Sequence, residues 1–258
     1  MKLAAQLYTV RMFTNTDDEV CKMFERIRKA GYEAVQLSGI KAYNPQNIAR
    51  ALKENGLSVC STHNSLDRIV KETDALIEEH RLFGTSYIGL GYFRGNSLEE
   101  YQNLLRDLQP ALEKIAAAGM RFTYHNHAHE FIKFDGVRPI DYMKEHTDRE
   151  KFFFLPDMYW VQTAGASPAR FLADFSGRTP IVHFKDMKVA QEEGKTNMAE
   201  IYEGNMDYDT IYAECLNQKV EWVVVEQDFC DRDPFESLAI SYKNLTQKFR
   251  FENAQPRG

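Results

Sequence analysis

A chain of 258 residues suits one large domain or two small ones, and an α/β barrel fills about 250 residues as a single unit. Hydrophobic residues at 43% and charged residues at 27% are globular proportions and exclude a disordered chain. With 32 Lys+Arg against 38 Asp+Glu the net charge is -6, which offers no basic field for a phosphate backbone and argues against nucleic acid as a partner.

No apolar run approaches the roughly 20 residues a bilayer requires, and the start Met1-Lys2-Leu3-Ala4-Ala5-Gln6 turns polar too soon for a signal peptide. The four cysteines, Cys21, Cys60, Cys215 and Cys230, lack CxxC spacing and read as reduced thiols. These features predict a cytoplasmic protein with no membrane partner.

In chain order, the first strand is expected over Leu3–Tyr8, with Gln6 and Tyr8 on one face. Thr16-Asp17-Asp18-Glu19 has the spacing of a capping box that opens a helix, and Gly31 closes it. A strand over Ala34–Leu37 leads to a second helix, opened by Asn44-Pro45 and stopped at Gly56. The third strand, Leu57–Thr62, runs into His63-Asn64, and the fourth is Tyr87–Leu90. Ser97-Leu98-Glu99-Glu100 opens a long helix that ends at Gly119. The fifth strand, Phe122–His125, continues into Asn126-His127-Ala128-His129-Glu130-Phe131. The sixth, Phe152–Leu155, ends Pro156-Asp157, the seventh, Ile181–Phe184, ends Lys185-Asp186, and the eighth is Trp222–Glu226. Two long connections, Ala128–Tyr142 and Met187–Asp207, read as working loops, and the tail Glu252–Gly258 as polar and frayed.

Eight such units, about 32 residues each, have the size of a βαβ repeat. No linker or charge block interrupts them, so residues 1–258 are expected to form a single domain. A doubly wound sheet and a closed barrel both fit this rhythm. The absence of GxGxxG and P-loop fingerprints favours a single-domain (β/α)8 TIM barrel.

In such a barrel the chemistry sits at the C-terminal ends of the strands. Five of the seven histidines fall there: His63, His125, His127, His129 and His183. Alternation places His125 with His127, His183 with Lys185, and Glu226 with Asp228. The fifth to eighth strands can thus deliver an imidazole, the Asp157 carboxylate, the His183 imidazole and the Glu226 carboxylate to one interior. Two neutral imidazoles and two carboxylates balance one divalent ion such as Mn, Co, Fe or Zn. Each residue also has a plainer use. A lone histidine can be a hydrogen-bonded rim residue, Asp157 a helix cap, and Lys185 a solvated lysine. Glu226 follows Val223-Val224-Val225, so a carboxylate there must be paired or metal-bound.

Gln6-Leu7-Tyr8-Thr9-Val10-Arg11, Tyr124-His125-Asn126-His127 with Glu130-Phe131, His183-Phe184-Lys185-Asp186 and Glu226 resemble the sugar phosphate isomerase/epimerase family, from Lys2 to about Phe251. This is the xylose-isomerase-like TIM barrel superfamily, which includes inosose dehydratases, ketose 3-epimerases and AP endonucleases. The resemblance implies a divalent ion held from four successive strands by Glu, Asp, His and Glu. The matching slots here are His125, Asp157, His183 and Glu226. The first departs from the pattern, since His-Asn-His stands where the glutamate is usual. That puts two-glutamate epimerisation in doubt and lies nearer the inosose dehydratase-like branch. Parity leaves His125 and His127 both eligible for the slot.

The chemistry implied is removal of a proton from a carbon beside a carbonyl, with a divalent ion stabilising the enediolate. His127 or Glu130 is the candidate base, and Glu226 the reserve for that role. Lys185 can stabilise an oxyanion. Gln6, Tyr8, His63 and Trp160 would contact a sugar or polyol substrate, with Phe131 as a further apolar wall. No Arg/Gly phosphate cup is evident, which favours a non-phosphorylated substrate. The competing functions are a non-catalytic sugar-binding barrel and an AP-endonuclease-like phosphodiesterase, the latter short of ligands and of positive charge. Aromatic residues at 12% leave material for a homo-oligomer interface.

Overall fold

Parallel strands buried on both faces read as unbroken apolar runs, and Phe152–Leu155 and Ile181–Phe184 are buried along their whole length. The computed structural model describes residues 1–255. Its strands β1 (Lys2–Gln6), β2 (Ala34–Leu37), β3 (Ser58–Asn64), β4 (Tyr87–Leu90), β5 (Arg121–His125), β6 (Phe152–Leu155) and β7 (Ile181–Phe184) are followed by an antiparallel hairpin, β8 (Asp186–Val189) with β9 (Thr196–Ala199), and then by β10 (Trp222–Val225). The eight parallel strands pair in the order β6-β5-β4-β3-β2-β1-β10-β7. Between β6 and β7 the ring closes through the parallel bridge Asp157↔His183, where His183 N donates to Pro156 O at 2.9 Å. The fold is a TIM barrel, as the strand–helix rhythm predicts.

The surrounding helices are α1 (Asp17–Ala30), α2 (Pro45–Glu54), α3 (Leu66–Lys71), α4 (Thr73–Phe83), α5 (Leu98–Ala117), α6 (Pro139–Glu145), α7 (Met158–Thr163), α8 (Pro168–Asp174), α9 (Tyr208–Asn217) and α10 (Pro234–Lys248). Their starts follow the expected caps. Thr16 accepts from Glu19 N at 3.2 Å, Asn44 from Asn47 N at 3.0 Å, and Ser97 from Glu100 N at 3.3 Å. The return half of each capping box reaches one residue further back than the motif states: Glu19 accepts from Asn15 N at 2.7 Å and Glu100 from Asn96 N at 3.1 Å. Gly31 ends α1 at φ 123°, and a Cβ there would meet the Tyr242 ring. No helix among the described residues is long and apolar enough to cross a membrane.

Three local expectations are corrected. The first strand stops at Gln6, because Gln6 Oε1 caps a 3-10 turn over Leu7–Phe13, so Tyr8 leaves the sheet instead of sharing a strand face with Gln6. The loop after Met187 carries the β8–β9 hairpin and a turn gathered around Asp186, which accepts from the backbone N–H groups of Met187, Tyr202, Gly204 and Met206. The tail is not frayed from Glu252. Phe251 and Ala254 are buried, and Asn253 pairs with Leu3 as a strand would, accepting from its N at 2.8 Å and donating to its O at 3.0 Å. The end of the expected tail, 256–258, lies outside the described residues.

The two-residue period of the strands sets two layers inside the barrel. Ala4, Ala34, Leu155, Ile181 and Val224 belong to one buried apolar cluster. Two residues on from each stand Gln6, Gln36, Asp157, His183 and Glu226, all buried. On β3 the register slips between Val35 and Gln36 of its neighbour, which leaves Cys60 as the extra residue. Cys60 and Ser61 then both face inward, Thr62 turns out to hydrogen-bond His80 at 2.7 Å, and His63 comes back to the interior.

Candidate active site

The polar layer is the floor of a cleft of about 540 Å3 at the C-terminal ends of the strands, lined by Gln6, Tyr8, His63, His127, Trp160 and Lys185 among others. Below these, His125, Asp157, His183 and Glu226 each offer a donor atom within 4.8 Å of the other three, and all four residues are buried. Among the described residues His125 Nδ1 has no hydrogen-bond partner, and Asp157 Oδ2, His183 Nδ1 and Glu226 Oε2 make no aligned hydrogen bond and have only ion-pair neighbours. Buried polar atoms gathered at one place without aligned hydrogen bonds are what a bound ion relieves.

The orientation of His183 sharpens this test. Its Nε2 lies 2.7 Å from Gln36 Oε1, while Gln36 Nε2 donates to Ser61 Oγ at 2.6 Å. The amide oxygen therefore faces the ring and Nε2 carries hydrogen, which leaves Nδ1 aimed at Glu226 Oε2, 3.0 Å away, and Asp157 Oδ2, 3.6 Å away. A bare lone pair against two carboxylate oxygens is repulsive, so the arrangement needs either a proton on Nδ1 or a cation at the centre. A partner that fixes the far nitrogen is the usual support of a ligating histidine. Two nitrogen and two oxygen donors fit a divalent ion of the manganese-to-zinc series.

A fixed cation borders the same oxygens. Lys185, buried, donates to Asp228 Oδ2 at 2.9 Å and forms ion pairs with Asp157 Oδ2 at 3.0 Å and Glu226 Oε2 at 2.7 Å, without hydrogen-bond alignment in the latter two. Three carboxyl groups share this one ammonium. Burial alone would discharge Lys185, but Asp157, Glu226 and Asp228 hold its pKa well above the ordinary range. Burial opposes ionisation of Glu226 too, and Lys185 and His183 outweigh it, keeping its pKa low. Asp228 goes the other way, raised by burial. Burial holds the His63 and His125 rings far down and pushes His127 to about 4, so all three are neutral near pH 7.

Asp157 satisfies both uses foreseen for it. Oδ1 accepts from Trp160 N at 3.1 Å and caps α7, while Oδ2 faces His183 and Lys185. Of the histidine pair, His125 lies with the buried cluster, and His127 lies further up the cleft between Tyr92 and Trp160. Glu130 is fully buried and does not line the cleft. Its oxygens accept from Tyr124 OH and His127 N, both at 2.8 Å, and Oε1 also lies 3.2 Å from His129 Nε2, so it holds the loop. Phe131 packs on Phe171 outside the cleft. Four contributors have no role assigned from the sequence: Gln36, Asn126, whose Oδ1 accepts from Asp157 N at 3.2 Å, Asp228, and Arg11, which stacks on Tyr8 and donates to Asp228 O at 3.2 Å. Alternation places Asp228 on the face of Glu226, and Asn126 and Arg11 stand in the motifs that carry the family resemblance, while the signal for Gln36 is an amide inside the apolar strand Ala34–Leu37.

The profile of the xylose isomerase-like TIM barrel family matches residues 24–234. The chain belongs to that family. An inosose dehydratase from Clostridium beijerinckii is 26% identical over 170 residues, and the match spans 59% of this chain and 56% of that relative. The chain thus matches little more than half the length of this curated relative. A sugar phosphate isomerase/epimerase from Parabacteroides distasonis superposes with TM-score 0.78 at 19% identity, covering 93% of this chain and 95% of the other. The IOLI protein, solved with a zinc atom, superposes with TM-score 0.69 at 14% identity over 94% and 96%. At these identities the likeness is one of fold, and this family member must be read from its own side chains.

Proposed function

We propose that the protein is a metal-dependent isomerase, epimerase or dehydratase that removes a proton from the carbon beside the carbonyl of a sugar or cyclitol. The observation that carries this reading is the convergence of His125, Asp157, His183 and Glu226, each with a donor atom within 4.8 Å of the other three, at the floor of a sugar-sized cleft. These residues would hold one divalent ion, which when bound supplies positive charge that lowers the energy of a developing enediolate. The names of the relatives, which include a dehydratase and an isomerase/epimerase, support the same chemical class.

The remaining groups divide the work by position. His127 has a buried Nδ1 with no hydrogen-bond partner among the described residues, sits on the cleft wall and is neutral, so it can accept the proton. Lys185 is a permanent ammonium at the same floor and can hydrogen-bond an oxygen that gains negative charge. Trp160 and Tyr8 offer apolar faces for the carbon skeleton, and Asn64 and Ser38 on the rim can meet hydroxyl groups. Arg11 spends donors on Tyr8 O and Asp228 O, which favours a substrate without phosphate.

The test is exchange of the substrate's α-proton in heavy water, run by the metal-loaded protein on keto-sugars and inososes, with elemental analysis alongside. Exchange on at least one substrate, lost after chelation and restored by a divalent ion, is expected. A fully loaded protein that binds a sugar but never exchanges a proton would be a sugar-binding barrel instead.

A further inference from the structure

Gln6 and His63 stand side by side on the cleft wall, and their hydrogen bonds can be followed donor by donor. Gln6 Oε1 accepts from Tyr8 N at 2.6 Å. A backbone N–H only donates, so the oxygen of this amide is fixed on that side. The NH2 must face the other way, where Gln6 Nε2 lies 3.3 Å from His63 Nδ1. An amide NH2 also only donates, so His63 Nδ1 has to be the acceptor. An imidazolium would set one N–H against another. The ring is therefore neutral with its hydrogen on Nε2, and that Nε2 is buried with no hydrogen-bond partner among the described residues.

Packing holds the ring where this logic needs it. A Cβ on Gly91 would stand 2.8 Å from His63 Cβ and 3.0 Å from its Nδ1, and one on Gly89 would stand 3.1 Å from its Cδ2. Two glycines thus make the slot that the imidazole fills. The ring centroid is 5.0 Å from that of His125 and 5.4 Å from that of His183. A nitrogen from each of these three rings lies within 4.8 Å of the other two, so distance alone would admit His63 as a ligand. A nitrogen that carries hydrogen has no lone pair to give.

We infer that Gln6 is a positioning residue that locks His63 as the Nε2–H tautomer, making His63 a hydrogen-bond donor to a substrate oxygen and keeping it out of the metal's ligand set. The acceptor's identity, the carbonyl or adjacent hydroxyl oxygen of a polyhydroxy ketone, rests on the function proposed above; the tautomer does not. An unmade donor in a protein interior is unfavourable, and a bound substrate oxygen completes it. The bond strengthens as that oxygen becomes negative, which is where a neutral donor assists proton removal.

The experiment is nitrogen-15 NMR of the full chain labelled at histidine, with the His63 signals assigned by their loss in His63→Gln. The wild type should show hydrogen on Nε2 and a bare Nδ1. Gln6→Glu, whose carboxylate accepts on both sides, should move the hydrogen to Nδ1, and Gln6→Leu should show a mixture. Hydrogen on Nδ1 in the wild type, or the same tautomer in wild type and Gln6→Glu, overturns the assignment. Metal per chain should match the wild type in His63→Gln, and loss of the ion there would mean that His63 is a ligand after all. With a substrate that the wild type exchanges, Gln6→Glu and His63→Leu should lower kcat by about tenfold or more, and His63→Gln, which keeps an N–H donor, by less. Wild-type rates in Gln6→Glu and His63→Leu would overturn the donor role. If the wild type exchanges no proton at all, the proposed function fails while the tautomer result still stands on its own.

Discussion

The Lys185 ammonium stands 2.7 Å from Glu226 Oε2, closer than the His183 ring nitrogen at 3.0 Å that shares the same oxygen. A buried lysine and an incoming divalent ion therefore compete for one set of carboxylates. Positive charges a few ångströms apart repel, by several kcal/mol even at an effective dielectric of about 20. Lys185→Met should bind a divalent ion about tenfold more tightly or better, measured by competition with a chromophoric chelator. Without metal the variant should be less stable, because three carboxyl groups then lack their cation. Weaker binding in Lys185→Met would mean that the ammonium organises the ligands instead of opposing the ion.

The two oxygens of Asp157 predict a graded pair of variants. Asp157→Asn keeps an oxygen for the Trp160 N–H, so α7 stays capped while the negative ligand is gone. Asp157→Ala loses the cap as well, worth about 1 kcal/mol. Elemental analysis should show low metal content in both, as in Glu226→Gln, and thermal melts of the metal-free forms should separate Asn from Ala. Full occupancy in Asp157→Asn and Glu226→Gln would exclude both as ligands.

Histidines 125 and 127 should fail differently. His125→Ala should lose the metal and with it proton exchange, whereas His127→Ala should keep the metal and lose exchange alone. The opposite pattern would exchange their roles. Wild-type exchange in both would end the case for a histidine base and leave Glu226, which lines the cleft, as the candidate, since Glu130 is committed to Tyr124, His127 and His129.

A pH effect on stability is expected from His80, away from the cleft. Its Nδ1–H donates to Leu76 O at 2.6 Å, its Nε2 accepts from Thr62 at 2.7 Å, and burial pushes its pKa down to about 4. An unfolded histidine titrates near 6.5, so between the two values the unfolded chain binds more protons. The contribution is complete above about pH 6.5, falls as the pH drops toward 4, and amounts to something on the order of 3 kcal/mol. Urea unfolding of wild type and His80→Gln should show the stability difference shrinking across that window. A difference independent of pH would mean that His80 is not buried as a neutral ring.

The barrel and its metal-capable layer were legible because both follow from periodicity. Apolar runs at regular spacing give the strands, and residues two apart give Ala4 with Gln6, Ile181 with His183 and Val224 with Glu226. What alternation cannot carry is a break in itself. The turn at Leu7 took Tyr8 out of the sheet, and the slip at Cys60 returned His63 to the interior by a route the sequence does not display. Glu130 looked like a free carboxylate because its partners, Tyr124, the His127 amide and the His129 ring, are contacts made only in three dimensions. Gln36 was missed for a related reason: an amide in an apolar strand announces a partner without saying which.

The bridge between Asp157 and His183 closes the ring, and the same two residues belong to the proposed ion site. The seam of the barrel and its chemistry thus occupy one spot. Most TIM barrels can be pictured as a finished hoop that carries a site on its rim; here the clasp of the hoop is itself the site. Breathing of β6 away from β7 would scatter the donor set, and an ion gripping both residues would rivet the hoop shut. Occupancy by metal should then be felt on the far side of each strand, as slower amide exchange at Phe154 and Val182, long before any sugar arrives.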